Sequence, residues 1–320
     1  MALQVDDLKV YYATLDGDVK ALDGVTFEIA DGEIMGVAGE SGCGKTTLGK
    51  ALIRLDSRQR HVGGTVILDG EELKIDDPAA MRKRRYKDVS LIPQSAMSAM
   101  NPTRKIGKMI ADLLAAHGVK YADILPELER RLRLCNLDPV VLDRYPGELS
   151  GGMKQRVVLV MSTLLNPSLL IGDEVTSALD VTSQKAVARA LVEFRDAGFV
   201  KSMMVITHDI SVLFQVADTI LVMYAGQLAE KAPAKTIVEH ALHPYTKALI
   251  GALPRVGAKY GEAELKGIEG RPPWLGDPPV GCRFRERCPL AMPICEELPP
   301  WVEVAPSHWV ACWAVTPPEA

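Results

Sequence analysis

The clearest evidence for the fold is the sequence Glu33-Ile-Met-Gly-Val-Ala-Gly-Glu-Ser-Gly-Cys-Gly-Lys-Thr46. Its aliphatic first half is typical of a buried strand, a glycine-rich loop begins at Gly39, and apolar residues at helical spacing follow Lys45. Glycines let several backbone N–H groups converge on one phosphate, and the N-terminus of the next helix adds positive potential. The strand–loop–helix order therefore predicts a phosphate-binding loop, which by itself indicates only a nucleotide hydrolase.

The residues of this loop have distinct predicted roles. Lys45 is predicted to reach the β- and γ-phosphates, and the hydroxyl of Thr46 to bind Mg²⁺. Cys43 is interpreted as a small spacer; the alternative is a thiol whose pKa is lowered by the surrounding amides, in which case alkylation would block nucleotide entry. The predicted nucleotide-binding residues of the loop are Gly39, Ser41, Gly42, Cys43, Gly44, Lys45, Thr46 and Thr47.

A second aliphatic run, Leu169-Leu-Ile-Gly-Asp-Glu174, ends in two carboxylates. Asp173 is predicted to hold Mg²⁺, and Glu174 to polarise the attacking water as a general base. Taken alone, such a run also fits a strand that meets solvent through acidic residues. The phosphate-binding loop upstream favours the catalytic interpretation, because both parts belong to one phosphoryl-transfer site.

Two further polar residues follow predicted strands. Gln94 comes after Leu91-Ile-Pro and is predicted to contact Mg²⁺ and the lytic water; His208 comes after Val205-Ile-Thr and is predicted to contact the γ-phosphate. In isolation, a surface-loop glutamine and a structural histidine are the alternatives. The candidate catalytic residues are thus Glu174, His208 and Gln94, and the candidate magnesium ligands are Thr46, Gln94 and Asp173.

The bulk composition limits the class of protein. With 320 residues, 48% of them hydrophobic, the chain suits a globular fold. A net charge of −4 and only 5% aromatic residues argue against a nucleic-acid partner, which requires a basic face or stacking platforms. The sequence shows neither an apolar run near the ~20 residues that cross a bilayer nor a secretory signal. We therefore expect a globular protein that stays inside the cell.

The chain divides into regions of different pattern. Over about the first 250 residues, short aliphatic runs alternate with longer amphipathic ones, which indicates an α/β domain. Residues 95–150 instead predict one helix after another, as in a helical insertion. Glycines and prolines after residue 254 indicate a connector before a cysteine-rich tail. The predicted strands are 33–38, 169–172, 203–207 and 219–223, and the predicted helices include 45–55 and 183–195.

The run Leu149-Ser-Gly-Gly-Met-Lys-Gln-Arg156 opens a helix just before the strand that ends at Asp173. It closely resembles the signature motif of the ABC ATPase superfamily, with Met153 in place of the usual glutamine, a variation common among peptide-importer ATPases. The resemblance covers about residues 1–255, which we predict to form an ABC nucleotide-binding domain with a P-loop NTPase core and a helical subdomain at about 95–150. Residues 256–320 are predicted to be a linker and a small Cys-rich C-terminal extension.

This resemblance implies further site residues. ABC ATPases close head to tail, so Ser150, Gly151 and Gly152 are expected to contact ATP held by the phosphate-binding loop of a second chain. The stretch from Ser177 to Asp180 matches the D-loop of the family. Tyr12 matches the aromatic residue that stacks on adenine, with Tyr11 as the alternative. The expected ligands are ATP and Mg²⁺, and the expected activity is ATP hydrolysis.

Two other stretches resemble the ATP-binding subunits of oligopeptide and dipeptide importers. These are His243-Pro-Tyr-Thr246, followed by Leu253-Pro254, and Ser98-Ala-Met-Asn-Pro102. The resemblance implies a second ABC ATPase (a homodimer is the alternative), two membrane permeases, an extracytoplasmic solute-binding protein, and a position at the cytoplasmic face of the cell membrane. Peptides, oligosaccharides or nickel are possible cargo. The alternative function is a soluble ABC ATPase that acts without permeases.

Four of the six cysteines crowd into the tail: Cys282, Cys288, Cys295 and Cys312. In a reducing compartment, clustered thiols favour a metal site over disulfides. Their spacing is wider than that of zinc-finger pairs, and Cys288-Pro289 resembles the end of a ferredoxin ligand run. Peptide-importer ATPases carry a similar element that is associated with a [4Fe–4S] cluster. We therefore expect a cluster of this kind, with Zn²⁺ as the alternative.

Overall fold

The computed structural model describes residues 2–54, 56–94, 100–177, 179–252 and 267–316. Within these residues it shows two β-sheets with helices packed between and around them. Three predicted features fall wholly or partly outside the described part: the Ser98 stretch, the Leu253-Pro254 turn and most of the connector. The predicted boundary near residue 255 lies there as well and stays a prediction.

The larger sheet has eight strands in the order β11-β12-β10-β9-β3-β8-β7-β6. The strands from β9 to β6 are parallel to one another, so their carboxyl ends meet at one edge. β10, β11 and β12 continue the sheet in antiparallel pairing. The strands are β3 (Ile34–Ala38), β6 (Val89–Ile92), β7 (Leu169–Asp173), β8 (Ser202–Ile206), β9 (Thr219–Tyr224), β10 (Gln227–Pro233), β11 (Val302–Ala305) and β12 (His308–Val310).

The smaller sheet is antiparallel and has the order β2-β1-β4-β5. Its strands are β1 (Leu3–Thr14), β2 (Gly17–Ile29), β4 (Gln59–Leu68) and β5 (Glu71–Glu72). Helix α1 (Lys45–Ile53) lies between the two sheets, since Leu48 and Leu52 share one core cluster with residues of both sheets. The helix that follows the phosphate-binding loop is thus held on two sides by apolar contacts, which fixes the position of its N-terminus.

The other helices pack on the larger sheet or on each other. A helical region lies between β6 and β7, as the sequence pattern predicts. Its apolar residues belong to a core cluster distinct from the one that contains α1. The remaining α-helices in the described part are α2 (Pro78–Arg84), α3 (Ile106–Ala116), α4 (Tyr121–Leu134), α5 (Gly151–Thr163), α6 (Val181–Asp196), α7 (Ile210–Val216), α8 (Ala234–His240) and α9 (Pro244–Gly251). No helix among the residues that the structure describes is long and apolar enough to cross a membrane.

The C-terminal segment, residues 267–316, does not form the separate small extension that the sequence predicts. β11 and β12 join the larger sheet through β10, and Phe284 is buried in the core cluster beside Tyr224 and Tyr245. The segment therefore belongs to the main body of the protein. The sequence pattern did not reveal this, because the connector's glycines and prolines indicate a break in regular structure and give no information about where the chain returns.

Candidate functional site

The predicted phosphate-binding loop adopts the backbone that its glycines allow. Gly39 and Gly44 have φ of 148° and 110°, in the left-handed region that favours glycine. A Cβ on Gly39 would lie 2.2 Å from the carbonyl oxygen of Met223, and one on Gly44 would lie 2.4 Å from that of Ala21. Both the backbone conformation and the nearby carbonyl oxygen thus exclude a side chain at each of these two positions. The loop ends at the N-terminus of α1, where free N–H groups attract anions.

Lys45 lies across this loop. Its Nζ donates hydrogen bonds to the carbonyl oxygens of Gly39, at 2.7 Å, and Glu40, at 3.0 Å, and the residue is only 8% exposed. Both acceptors are neutral, and the ammonium charge also acts on Asp173, whose pKa it lowers. A buried cation beside the N-terminus of α1 fits the phosphate oxygens of a nucleotide.

Thr46 and Asp173 meet although 127 residues separate them. The Thr46 hydroxyl donates to Oδ1 of Asp173 at 3.1 Å. Burial raises the pKa of Asp173, the hydrogen bond from Thr46 lowers it by less, and the nearby charge of Glu174 raises it further. A buried carboxylate of this kind favours a partner cation, and a hydroxyl with a carboxylate oxygen is a donor pair that Mg²⁺ accepts. The residues present therefore fit Mg²⁺.

Glu174 follows β7, and its carboxylate is held by residues that directly follow β8. The backbone N–H of His208 donates to Oε1 at 3.1 Å, and the ring Nδ1 of His208 lies 2.9 Å from the same oxygen. Glu174 itself has a φ of 55°, a left-handed conformation that costs free energy for a residue with a side chain. Its N–H donates to the carbonyl of Ile206 at 2.8 Å, which holds this conformation. The structure thus brings together the predicted base and the predicted histidine.

Gln94 lies just beyond β6, at the same carboxyl edge, where β6 pairs with β7. Its side chain is exposed. This placement is compatible with the predicted contact to Mg²⁺ and water, which stays a prediction.

Tyr12 and Tyr11 point to different partners. Tyr12 is opposite Val19 in the β1–β2 pair, and Gln59 Nε2 donates both to the Tyr12 hydroxyl and to the carbonyl of Thr47 in α1. Tyr12 is thereby on the side of the phosphate-binding loop. Tyr11 donates to Asp23 at 2.5 Å, and burial together with this bond raises its pKa to about 12. The geometry favours Tyr12 as the adenine-stacking residue.

The predicted signature residues open helix α5. Ser150 is its N-cap residue and accepts a hydrogen bond from Met153 N at 3.3 Å, while Ser150 and Gly151 are exposed. Gly152 is buried against α6: a Cβ there would lie 2.6 Å from Ser183 Oγ. This helix start therefore presents an exposed serine and glycine, while the following glycine allows α5 and α6 to approach closely.

The D-loop residues connect the two carboxylates to helix α6. Ser177 Oγ donates to the carbonyl of Glu174 at 2.8 Å. Asp180 caps α6, accepting from the N–H and the hydroxyl of Ser183, and these bonds lower its pKa. Ala178, between them, lies outside the described residues.

The cysteine predictions need two corrections. Cys43 is buried, and burial raises the pKa of its thiol, so the lowered pKa considered from the sequence is wrong. In the tail, no group of three or more His, Cys, Asp or Glu side chains in the described part of the chain, which includes all four tail cysteines, is arranged to hold a metal ion. The predicted [4Fe–4S] cluster at Cys282, Cys288, Cys295 and Cys312 is therefore wrong, and the structure gives no support to Zn²⁺.

The physical reason lies in the packing of these thiols. Cys295 and Cys312 are buried, and Cys282 and Cys288 pack against the hydrophobic core. Burial is the main cause that raises the pKa of Cys282, to about 11. Metal ligation requires thiolates, and burial disfavours the thiolate form by raising the pKa of Cys282, Cys288 and Cys312. All six cysteines are free thiols.

Two residues at the loop were missed from the sequence. The hydroxyl of Tyr245 accepts a hydrogen bond from the backbone N of Glu40 at 2.7 Å, and the guanidinium of Arg287 forms an ion pair with the Glu40 carboxylate. Tyr245 belongs to the His243-Pro-Tyr-Thr246 stretch, whose sequence indicates the family but not this contact. Arg287 had no local signal, because its partner lies 247 residues away.

Comparisons with known proteins agree with this geometry. Residues 22–177 match the family model of the ABC transporter, and residues 229–295 match the oligopeptide/dipeptide transporter C-terminal region. The dipeptide transport ATP-binding protein DppD of Caldanaerobacter subterraneus subsp. tengcongensis is 38% identical over 97% of this chain and 96% of its own length. The oligopeptide transport ATP-binding protein OppD of Salmonella typhimurium is 37% identical over 97% of this chain and 93% of its own.

Solved structures show the same fold. The structure of cbiO1 from Clostridium perfringens, part of the ABC transporter complex cbiONQ, aligns with a TM-score of 0.63 at 21% identity over 75% of this chain and 91% of that one. The dimeric structure of MJ0796, a bacterial ABC transporter cassette, aligns with a TM-score of 0.64 at 22% identity over 72% of this chain and 98% of that one. The predicted ABC ATPase fold is confirmed. The curated relatives are named for ATP binding in peptide transport, which gives no support to an iron–sulfur protein. The chain belongs to the family of ABC ATPases that serve as ATP-binding proteins of oligopeptide and dipeptide transporters.

Proposed function

We propose that this chain hydrolyses Mg-ATP as the energy-coupling subunit of an importer for peptides or related small solutes. The observation that carries the proposal is the convergence of Thr46, Asp173, Glu174 and His208 at one edge of the sheet, directly beside the buried Lys45. Separate elements supply these residues, and their assembly at one point is what phosphoryl transfer needs.

Each of these side chains has a role that its contacts support. Lys45 and the N–H groups of the loop orient the phosphates, and the pair Thr46–Asp173 holds Mg²⁺, which when bound neutralises charge on the phosphate oxygens. Glu174 accepts the proton of the attacking water, and His208 keeps the Glu174 carboxylate in position. Gln94 and Tyr12 complete the site on the water side and on the adenine side.

A second ABC ATPase chain is part of the proposal. Ser150 and Gly151 are exposed at the start of α5, where a capped helix N-terminus offers hydrogen-bond donors to an anion. We infer that they contact ATP bound to the partner chain, so that each site needs two chains. ATP then drives closure because it binds the closed dimer better than the open one.

The remaining partners are inferred from the relatives, which are named as ATP-binding proteins of dipeptide and oligopeptide transport. The chain would act with two membrane permeases, contacted through the Gln94 region and the helices between β6 and β7, and with an extracytoplasmic solute-binding protein. It would then lie at the cytoplasmic face of the membrane. The rival function, a soluble ABC ATPase without permeases, has no support from the relatives, whose names refer to dipeptide and oligopeptide transport.

The test is affinity purification of the tagged chain from detergent-extracted membranes of cells that express it at native level. Membranes with the untagged chain are the control, and mass spectrometry identifies the co-purifying chains. Recovery of two multi-span permeases, with or without a second ABC ATPase, supports the importer. Recovery of soluble partners alone would overturn the transport proposal and leave the ATPase assignment intact.

A further inference from the structure

Trp274 lies beside the phosphate-binding loop although it belongs to the C-terminal segment. It lines a cavity of about 410 Å³ together with Val19, Ser41, Gly42 and Pro273. Its side chain is 60% exposed. The solvent-exposed indole therefore presents a large apolar surface beside the phosphate-binding loop. Because a ligand could cover this surface, the cavity is a candidate binding site.

Hydrogen bonds hold the segment that carries Trp274 on either side of this residue in the sequence. The carbonyl of Leu275 accepts a hydrogen bond from the backbone N of Lys20 in β2 at 2.9 Å. At the other end, Arg287 donates to the carbonyl oxygens of Ile268 and Glu269 while it holds Glu40 of the loop. Trp274 is thus held in place relative to the loop by contacts on either side of it in the sequence.

The ring itself has a defined position. A Cβ on Gly276 would lie 2.4 Å from the ring atoms Cζ2 and Cη2 of Trp274, so the indole lies directly against the backbone of Gly276. Only glycine at residue 276 permits this approach. A ring positioned by its own turn loses little freedom when a ligand stacks on it, which favours binding.

The hairpin of β1 and β2 supplies another part of the cavity wall. Val19 lines the same cavity, and its cross-strand partner is Tyr12, which is directed toward the side of α1. Side chains directly opposite in an antiparallel pair lie on one face of the sheet. Val19 and Trp274 therefore line one cavity at the loop, and Tyr12 lies on the same face of the hairpin as Val19.

We propose that Trp274 contacts the nucleoside part of ATP bound to the phosphate-binding loop of the same chain. The C-terminal segment then completes the nucleotide site. This inference rests on the proposed function, because it requires that the loop binds ATP. It adds a residue that lies outside the ABC transporter match at residues 22–177 and inside the C-terminal region at 229–295.

The test separates contacts to the nucleoside from contacts to the phosphates. Isothermal titration calorimetry would measure the affinities of Mg-ATP and of inorganic tripolyphosphate for the wild type, Trp274→Ala, Trp274→Phe and the control Leu290→Ala. Leu290 is also an exposed apolar residue of the C-terminal segment, 53% exposed, and does not line this cavity. Circular dichroism and melting curves would confirm that every variant folds.

We expect Trp274→Ala to bind ATP about 5- to 50-fold more weakly, as for loss of one base-stacking aromatic, and to bind tripolyphosphate as the wild type does. Trp274→Phe should recover most of the ATP affinity, and Leu290→Ala should match the wild type. ATP should also change the tryptophan emission of the wild type but not that of Trp274→Phe.

Unchanged ATP affinity in Trp274→Ala would overturn the inference. An equal loss of affinity for ATP and for tripolyphosphate would also overturn it, because the substitution would then act through a general distortion of the loop and not through a contact to the nucleoside. If the wild type itself failed to bind ATP, the proposed function would fall together with the inference.

Discussion

The guanidinium of Arg287 forms two parallel hydrogen bonds with the carboxylate of Glu40, Nη1 to Oε2 at 2.6 Å and Nη2 to Oε1 at 3.0 Å. Glu40 is the second residue of the phosphate-binding loop, and Arg287 lies in the C-terminal segment. This bidentate geometry is the strongest arrangement of a carboxylate with an arginine. The C-terminal segment therefore forms one structural unit with the loop.

Arg287→Ala should lower the free energy of unfolding by about 1.5–3 kcal/mol, the usual range for hydrogen bonds to charged groups. We expect the lower part of this range, because the Glu40 side chain is 24% exposed and water screens the pair. Urea unfolding would measure the change, with Arg285→Ala on the same short helical turn as the control. Equal effects of the two variants would contradict a specific role for the pair.

The same pair can be tested by coupling. In a double-mutant cycle with Glu40→Ala, the loss in the double variant should be smaller than the sum of the two single losses, because either single change already breaks the contact. Strict additivity would show that the two residues contribute independently.

His243 gives the protein a pH dependence of stability. It is 3% exposed, its Nδ1 accepts a hydrogen bond from Tyr245 N at 3.0 Å, and burial lowers its pKa to about 4. Between the ordinary histidine pKa of about 6.5 and 4, the unfolded chain binds a proton here and the folded chain does not. Stability from this residue is therefore complete above pH 6.5 and is lost as the pH falls toward 4.

His243→Asn keeps an acceptor at this helix N-cap and removes the titration. The wild type should lose up to about 1.4 kcal/mol more per pH unit than this variant between pH 6.5 and 4.5, as unfolding in urea at several pH values would show. Parallel pH profiles for the two proteins would mean that His243 does not carry this effect.

Thr46→Val tests the proposed magnesium pair, since it removes the hydroxyl that bonds Asp173 and keeps the side-chain volume. We expect binding of ATP without metal to change little and the gain in affinity on adding Mg²⁺ to fall about 10-fold or more, because one ligand of the ion is lost. Titration calorimetry with and without Mg²⁺ measures both quantities. Thr46→Ser, which keeps the hydroxyl, is the control, and the same loss of Mg²⁺ dependence in both variants would contradict the assignment of Thr46.

Sequence patterns predicted the parts of the site that are local. Glycines and a following helix reveal the phosphate-binding loop because its conformation depends on adjacent residues, and the run ending at Glu174 identifies strand β7 for the same reason. The observed strands agree with the predicted ones to within one residue at each end. Because these strands are parallel, their polar ends had to converge.

Contacts between distant segments could not be predicted in this way. Nothing near Arg287 in the sequence indicates that it contacts Glu40. Trp274 lies in a stretch rich in glycine and proline, and no local pattern there indicates that the stretch packs beside the phosphate-binding loop. The four tail cysteines show the converse error. Their proximity in sequence suggested a shared metal, but the fold buries them or packs them against the hydrophobic core, as it does apolar side chains.

The proposed ATP hydrolysis and the role of Glu174 are tested by comparing the rates of phosphate release from Mg-ATP by the purified wild type and by Glu174→Gln. Glutamine keeps the shape of the side chain and cannot accept the proton of the attacking water, so turnover should fall at least ~100-fold while ATP binding persists. Near-normal turnover in Glu174→Gln, or a wild type that binds no ATP, would contradict the account.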